Sequence, residues 1–155
     1  MYQKGVLKGH ASILNLILRV MDGILVFALG VTSYYLSNAY ETYIALGVVG
    51  VPQSYIQVIL LAVLLSVLIL PLFGVYKVWR GSSTLSEIKY LTLAWIMVAF
   101  SLAFMAFVTK SGAEYSRSWM GIWFASAWVS FVGSRVIMRY FLRYLRSSGF
   151  NHRHI

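Results

Sequence analysis

Apolar positions in this chain fall into four long runs, each closed by charged or turn-forming residues. A hydrocarbon core roughly 30 Å thick is crossed by about 20 apolar residues in helical form. On that measure the runs predict spans over 21–40, 54–79, 84–108 and 117–134. Residues 1–20 precede the first span as a cytoplasmic or interfacial segment, amphipathic from Ala11 to Val20. The connection from Glu41 to Gln53 holds Gly47, Gly50 and Pro52, which discourage a continuous helix, and it reads as an outer loop. Pro71 falls in the last third of the second run, where its missing N–H and its ring predict a kink that Gly74 relieves. Ser83 or Thr84 can cap the third helix, with Glu87 closing a capping box. The helical pattern of the fourth run continues beyond its apolar part as a basic helix over 135–147, with Gly149 as its stop. Residues 148–155 then read as the start of a linker to a further domain. The expected fold is all-α: an integral membrane four-helix bundle with an amphipathic cytoplasmic extension of its last helix.

Composition agrees with lipid as the solvent. Hydrophobic residues make up 60% of the 155 positions and charged ones 11%, and the mean hydropathy is +0.77. Thirteen Lys and Arg against four Asp and Glu give a formal charge of +9. Such an excess suits either nucleic acid or an anionic membrane surface, and the hydropathy selects membrane lipids as the partner rather than nucleic acid. Lys4, Lys8, Arg19, Lys77, Arg80, Lys89, Arg135, Arg139, Arg143, Arg146 and Arg153 lie on one side of the four spans, with only Lys110 and Arg117 on the other. By the positive-inside rule both termini are cytoplasmic. The chain has no cysteine, which excludes disulfides and thiolate chemistry. Its three histidines are terminal, without metal-ligand spacing, and it contains no phosphate-cradling glycine motif and no Ser-His-Asp arrangement. Neither a catalytic centre nor a cofactor or metal site is expected in this chain by itself.

Several charged residues still call for a role. Arg19 and Asp22 stand three apart on one helix face and can pair. Asp22 could serve as an intramembrane proton or ion carrier, but its place near the cytoplasmic boundary favours an ion pair that sets helix depth. Tyr76, Lys77, Trp79 and Arg80 close the second span with the aromatics and cations that favour headgroup level. Glu87 at the next helix start can bond Arg80 and brace the second and third helices. Arg135, Arg139, Arg143 and Arg146 lie within about 80° of one another by helical spacing, and apolar side chains take the opposite face. They can receive a lipid phosphate or a phosphorylated substrate, although these residues alone favour plain positive-inside anchoring. Ala99 and Ala103, Gly121 and Ala125, and Ser126, Ser130 and Ser134 recur at four-residue spacing, which suits close helix packing within one bundle or in a homodimer.

Phe73-Gly74-Val75-Tyr76-Lys77-Val78-Trp79-Arg80-Gly81 with Glu87, followed by the Arg135 to Arg153 basic series with Gly149 and Asn151, resembles the amino-terminal membrane domain of the polyprenyl-phosphate sugar-1-phosphate transferases. These bacterial inner-membrane enzymes start exopolysaccharide, capsule or O-antigen synthesis by moving a hexose-1-phosphate from a UDP-sugar to undecaprenyl phosphate. The resemblance covers essentially the whole chain and includes an early Asp, here Asp22. It implies a non-catalytic anchoring and assembly module. The family's catalytic domain, to which Mg2+ would belong, lies downstream, and the end of this chain at Ile155 points to a piece of a longer enzyme. Polyprenyl phosphate and that domain are the implied partners. The competing expectation is a free-standing four-helix transporter, lipid-carrier flippase or accessory subunit, with Asp22 as its acidic candidate.

Overall fold

A helix in hydrocarbon satisfies its own backbone polar groups, so each apolar run is under strong pressure to be helical over its full length. A computed structural model describes residues 6–76 and 83–147, and among these the chain is helical without strands. The elements are α1 (Val6–Leu36), α2 (Asn38–Ala45), α3 (Gln53–Leu72), α4 (Thr84–Val108), a 3-10 turn (Gly112–Glu114) and α5 (Arg117–Ser147). Four of them, α1, α3, α4 and α5, are long and apolar enough to cross a membrane. Around the bundle α1 lies beside α3 and α5, and α4 lies beside the same two.

The elements differ from the sequence expectations where one residue decides an end. The amphipathic segment and the first span form one helix, because residues 11–20 contain neither proline nor glycine to interrupt it. That helix ends before Tyr40, at Ser37, whose hydroxyl donates to the Tyr34 carbonyl at 2.9 Å and accepts from the Ala39 N–H at 3.3 Å. Ser37 thereby caps α2, which takes up the first part of the expected outer loop. Gly47 and Gly50, with φ of 78° and 90°, complete the connection.

α3 keeps Pro71 inside it and ends one residue later, at Leu72, short of the expected bound at 79. The Gly74 N–H reaches the Pro71 carbonyl at 3.1 Å and the Val75 N–H reaches Leu70 at 3.5 Å. With Gly74 at φ 69° this is a Schellman ending, which satisfies the last carbonyls and turns the chain back towards the bundle. α4 begins as the capping residues require, with the Ser83 hydroxyl accepting from the Ser86 N–H. It ends in a second Schellman turn, in which Lys110 takes the left-handed position at φ 56°. α5 runs unbroken from Arg117 to Ser147, so the span and the basic extension are one helix.

The core is built on four-residue ridges. On α5, Trp119, Trp123, Ala127, Phe131 and Arg135 are all buried, and on α1 Asp22, Val26, Gly30 and Tyr34 form the matching row. Residues four apart on a helix form the ridges that interlock between packed helices. Gly30 allows the closest approach: a Cβ there would lie 2.8 Å from Ile59 Cγ1 and 3.1 Å from Trp123 Cε2.

Candidate functional site: an ionic clamp at one end of the bundle

The row on α1 begins with a carboxylate and the row on α5 ends with a guanidinium, and the antiparallel packing of the two helices brings them together. Arg135 Nη2 donates to Asp22 Oδ2 at 2.7 Å. The Tyr76 hydroxyl, carried back by the turn after α3, donates to the same oxygen at 2.6 Å. Asp22 is 2% exposed and Arg135 4%, so this is a buried ion pair in a low-dielectric setting. Such a pair depends on hydrogen bonds for its remaining polar atoms. Tyr76 supplies one, while Asp22 Oδ1 and Arg135 Nε and Nη1 have no hydrogen-bond partner among the described residues.

Arg19, the partner expected for Asp22, is exposed, and its guanidinium sits 5.3 Å from the centre of the Tyr76 ring. Arg135 lies 5.4 Å from the same centre. Both distances are within cation–π range. Tyr76 thus has an interior role, as a neutral donor to Asp22 and a ring between two cations, instead of the headgroup-level anchoring expected of it.

One turn further along α5, Arg139 holds the first turn of α4. Its Nε donates to Glu87 Oε2 at 2.9 Å, Nη2 donates to the same oxygen, and Nη1 donates to Thr84 Oγ1 at 3.1 Å. Glu87 therefore braces α4 to α5. Its expected partner Arg80 lies outside the described residues, as do Lys77 and Trp79. This second pair is only partly buried, with the Arg139 side chain 30% exposed and that of Glu87 16%. Arg143, a further turn on, is exposed. The side chain of Arg146 lies outside the described residues.

Sequence reasoning missed a second set of ties. Trp119 Nε1 donates to the Gly30 carbonyl and Trp123 Nε1 to the Val26 carbonyl, each at 3.0 Å. Trp95 Nε1 reaches the Phe124 carbonyl at 3.2 Å and Trp128 Nε1 reaches Thr92 Oγ1 at 2.9 Å. Every tryptophan among the described residues thus spends its one donor on another helix. The signal was present: the i+4 series 119, 123, 127, 131, 135 places two indoles and Arg135 on one face, and an indole N–H in hydrocarbon must find a protein acceptor.

The clamp can hold α5 at a fixed rotation and depth where it leaves the bundle. Comparison with known proteins accords with such a part. Residues 71–155 match the family described as CoA-binding domain. The UDP-glucose:undecaprenyl-phosphate glucose-1-phosphate transferase of Xanthomonas campestris pv. campestris is 34% identical over 144 residues, covering 92% of this chain and 28% of that protein. No solved structure matches. The chain thus spans a little over a quarter of that relative's length. A match across more than half of the chain, together with a relative aligned along nearly all of it, makes this chain a member of the family described as CoA-binding domain and a homologue of the polyprenyl-phosphate sugar-1-phosphate transferases it resembles.

Proposed function

We propose that this chain is the non-catalytic membrane-anchoring and assembly part of an undecaprenyl-phosphate sugar-1-phosphate transferase. That enzyme would initiate exopolysaccharide, capsule or O-antigen synthesis at the bacterial inner membrane, with both termini of this chain cytoplasmic. The observation that carries the reading is the pair of ionic contacts on α5 one turn apart. Asp22 and Glu87, from α1 and α4, grip Arg135 and Arg139 where the last helix continues out of the bundle. A helix held on two sides transmits its orientation to whatever follows it, which is what a domain that positions a catalytic partner at the inner leaflet needs. The 28% coverage of the Xanthomonas transferase agrees with a part of a longer enzyme.

Coenzyme A is named in the family description, and in the matched segment Arg135 and Arg139 are committed to carboxylates. The transporter alternative needs a carboxylate free to exchange a proton or ion, whereas Asp22 is locked between Arg135 and Tyr76.

Two experiments test the anchor reading. The intact mass of the native gene product is expected to be several times 17.5 kDa, and a product near that mass would move an accessory subunit or transporter to first place. In the longer enzyme, residues 1–147 exchanged for an unrelated single span should leave transfer from UDP-glucose to undecaprenyl phosphate measurable while lowering stability or oligomer formation. Complete loss of transfer from a folded chimera contradicts a non-catalytic role. For the alternative, proton-coupled or lipid movement in proteoliposomes that Asp22→Asn abolishes would establish transport.

A further inference from the structure

The lipid-facing side of the α1–α3 pair carries a groove of about 530 Å³, within the usual range of small-molecule clefts. Gly23, Ile24 and Phe27 of α1 and Leu60, Val63 and Val67 of α3 line it. Its single charged lining residue is Arg19. Gly23 keeps the floor open: a Cβ there would already touch Val63 Cγ1 at 3.6 Å, and any longer side chain would enter the space. From Leu16 to Ala28 the groove follows α1 for about 18 Å at the helical rise, with the cation about one turn from one end and apolar side chains along the rest. That end is also where the buried clamp lies. Arg19 faces the Tyr76 ring from one position and Arg135 from another. The three charged groups gathered there, Arg19, Arg135 and Asp22, sum to one uncompensated positive charge. Arg135 and Asp22 neutralise each other, which leaves the charge on exposed Arg19.

We propose that this groove is a binding site for a polyprenyl monophosphate, its phosphate on the Arg19 guanidinium and its first isoprene units along Gly23, Ile24 and Phe27. The proposal rests on the transferase reading for the identity of the lipid and adds to it a place in this chain where the carrier is held. Two features select the occupant. One excess cation matches one phosphate group, and guanidinium is the side chain suited to bidentate contact with phosphate oxygens. Beyond that cation the lining along both α1 and α3 is apolar, which suits an isoprene chain. Arg19 is therefore not a spare anchor but the headgroup contact of a lipid site, and Tyr76 supports it from behind through its ring.

The test uses the whole chain in phosphatidylcholine nanodiscs with a short polyprenyl monophosphate bearing a photoreactive diazirine on its chain. Adducts are mapped by mass spectrometry, and undecaprenyl phosphate, undecaprenol and phosphatidylglycerol serve as competitors. Adducts on Ile24, Phe27 and Leu60, removed by undecaprenyl phosphate and left by the other two, support the site. Arg19→Gln should weaken apparent affinity about fivefold, the effect of losing one cation near a lipid phosphate. Gly23→Leu should abolish labelling by filling the groove from α1. Val67→Phe fills it from α3 and serves the same purpose if the glycine variant fails to fold. Equal competition by phosphatidylglycerol would assign the groove to bulk anionic lipid, and equal competition by undecaprenol would show that the phosphate is not read. Either result, or labelling unchanged in a folded groove-filling variant, overturns the proposal. No readout here depends on catalysis. The anchor exchange can therefore fail while labelling stands, or succeed while labelling is absent, and the two readings fall separately.

Discussion

The two ends of this bundle are held by opposite kinds of chemistry. At one end, few atoms carry the fixing: Asp22, Arg135, Tyr76, Glu87 and Arg139 meet through directional, charge-assisted bonds. At the other, Tyr34, Tyr43, Tyr55, Tyr115 and Trp119 form a run of ring contacts with centroids 4.5 to 6.4 Å apart. There the Tyr55 hydroxyl accepts from the Ser116 N–H at 3.0 Å and pins the start of α5. Ring packing spreads its contribution over many atoms, with each aromatic pair adding about 0.5–1.5 kcal/mol, so it tolerates small shifts. A buried ion pair does not, because losing one partner strands the other charge. The tolerant end is the one away from the exit of α5. The intolerant end is where α5 leaves the bundle, and where helix orientation has to be defined.

The largest expected effect comes from breaking that contrast at its strongest point. Asp22→Ala leaves the Arg135 guanidinium buried without its counter-charge and should destabilise the bundle by about 3–5 kcal/mol, read as a lower midpoint in denaturant titration of the detergent-solubilised protein. Asp22→Leu combined with Arg135→Met removes both charges and should recover most of the loss. If the double variant is as unstable as the single one, the pair is not the source of the effect.

A next, somewhat smaller effect comes from the close approach nearer the aromatic end. Gly30→Leu inserts a side chain where even a Cβ meets Ile59 at 2.8 Å. Overpacking of this kind costs about 1–3 kcal/mol, and the shift should appear in the same titration. A neutral outcome would mean that α1 and α3 separate more easily than their contact implies.

These sites show how far the sequence could be read. The all-α class and the four spans were legible, because apolar run length alone specifies them. A cap at Ser83 or Thr84 was legible from local residue types, and the structure uses Ser83, while Glu87 bonds Arg139 instead of closing a capping box. The partner of Asp22 was not. Helical spacing nominated Arg19, three residues away, and those two positions differ by about 60° around the helix. At the edge of a buried row that angle separates an interior carboxylate from a lipid-facing cation. The true partner lies 113 residues further on and the tyrosine 54, and only helix packing brings them together. The end of α3 was not legible, because Gly74, read as relief for a proline kink, supplied the left-handed position that ends a helix.

A smaller expected effect isolates one tie of the tryptophan set. Trp119→Phe keeps most of the ring in place and removes the Nε1 donor to Gly30. Interhelical hydrogen bonds within membrane proteins contribute about 0.6 kcal/mol on average and about 1.7 at most, and the loss should fall in that interval. A larger loss would show that the indole acts mainly by filling space against Tyr55 and Trp123.

The smallest effect separates the two ion pairs of the clamp. Glu87 and Arg139 are partly exposed, so their attraction is screened by salt, while that between Asp22 and Arg135 is sheltered from it. Glu87→Gln should cost about 0.2–1 kcal/mol at low ionic strength and less than that in concentrated salt. Asp22→Ala should cost nearly the same in both. If the penalty for Glu87→Gln is independent of salt, Arg139 contributes by hydrogen-bonding the first turn of α4 through Thr84 and the glutamate geometry rather than by charge. The outer half of the clamp would then be a helix-start device, and the orientation of α5 would rest on Asp22 and Arg135 alone.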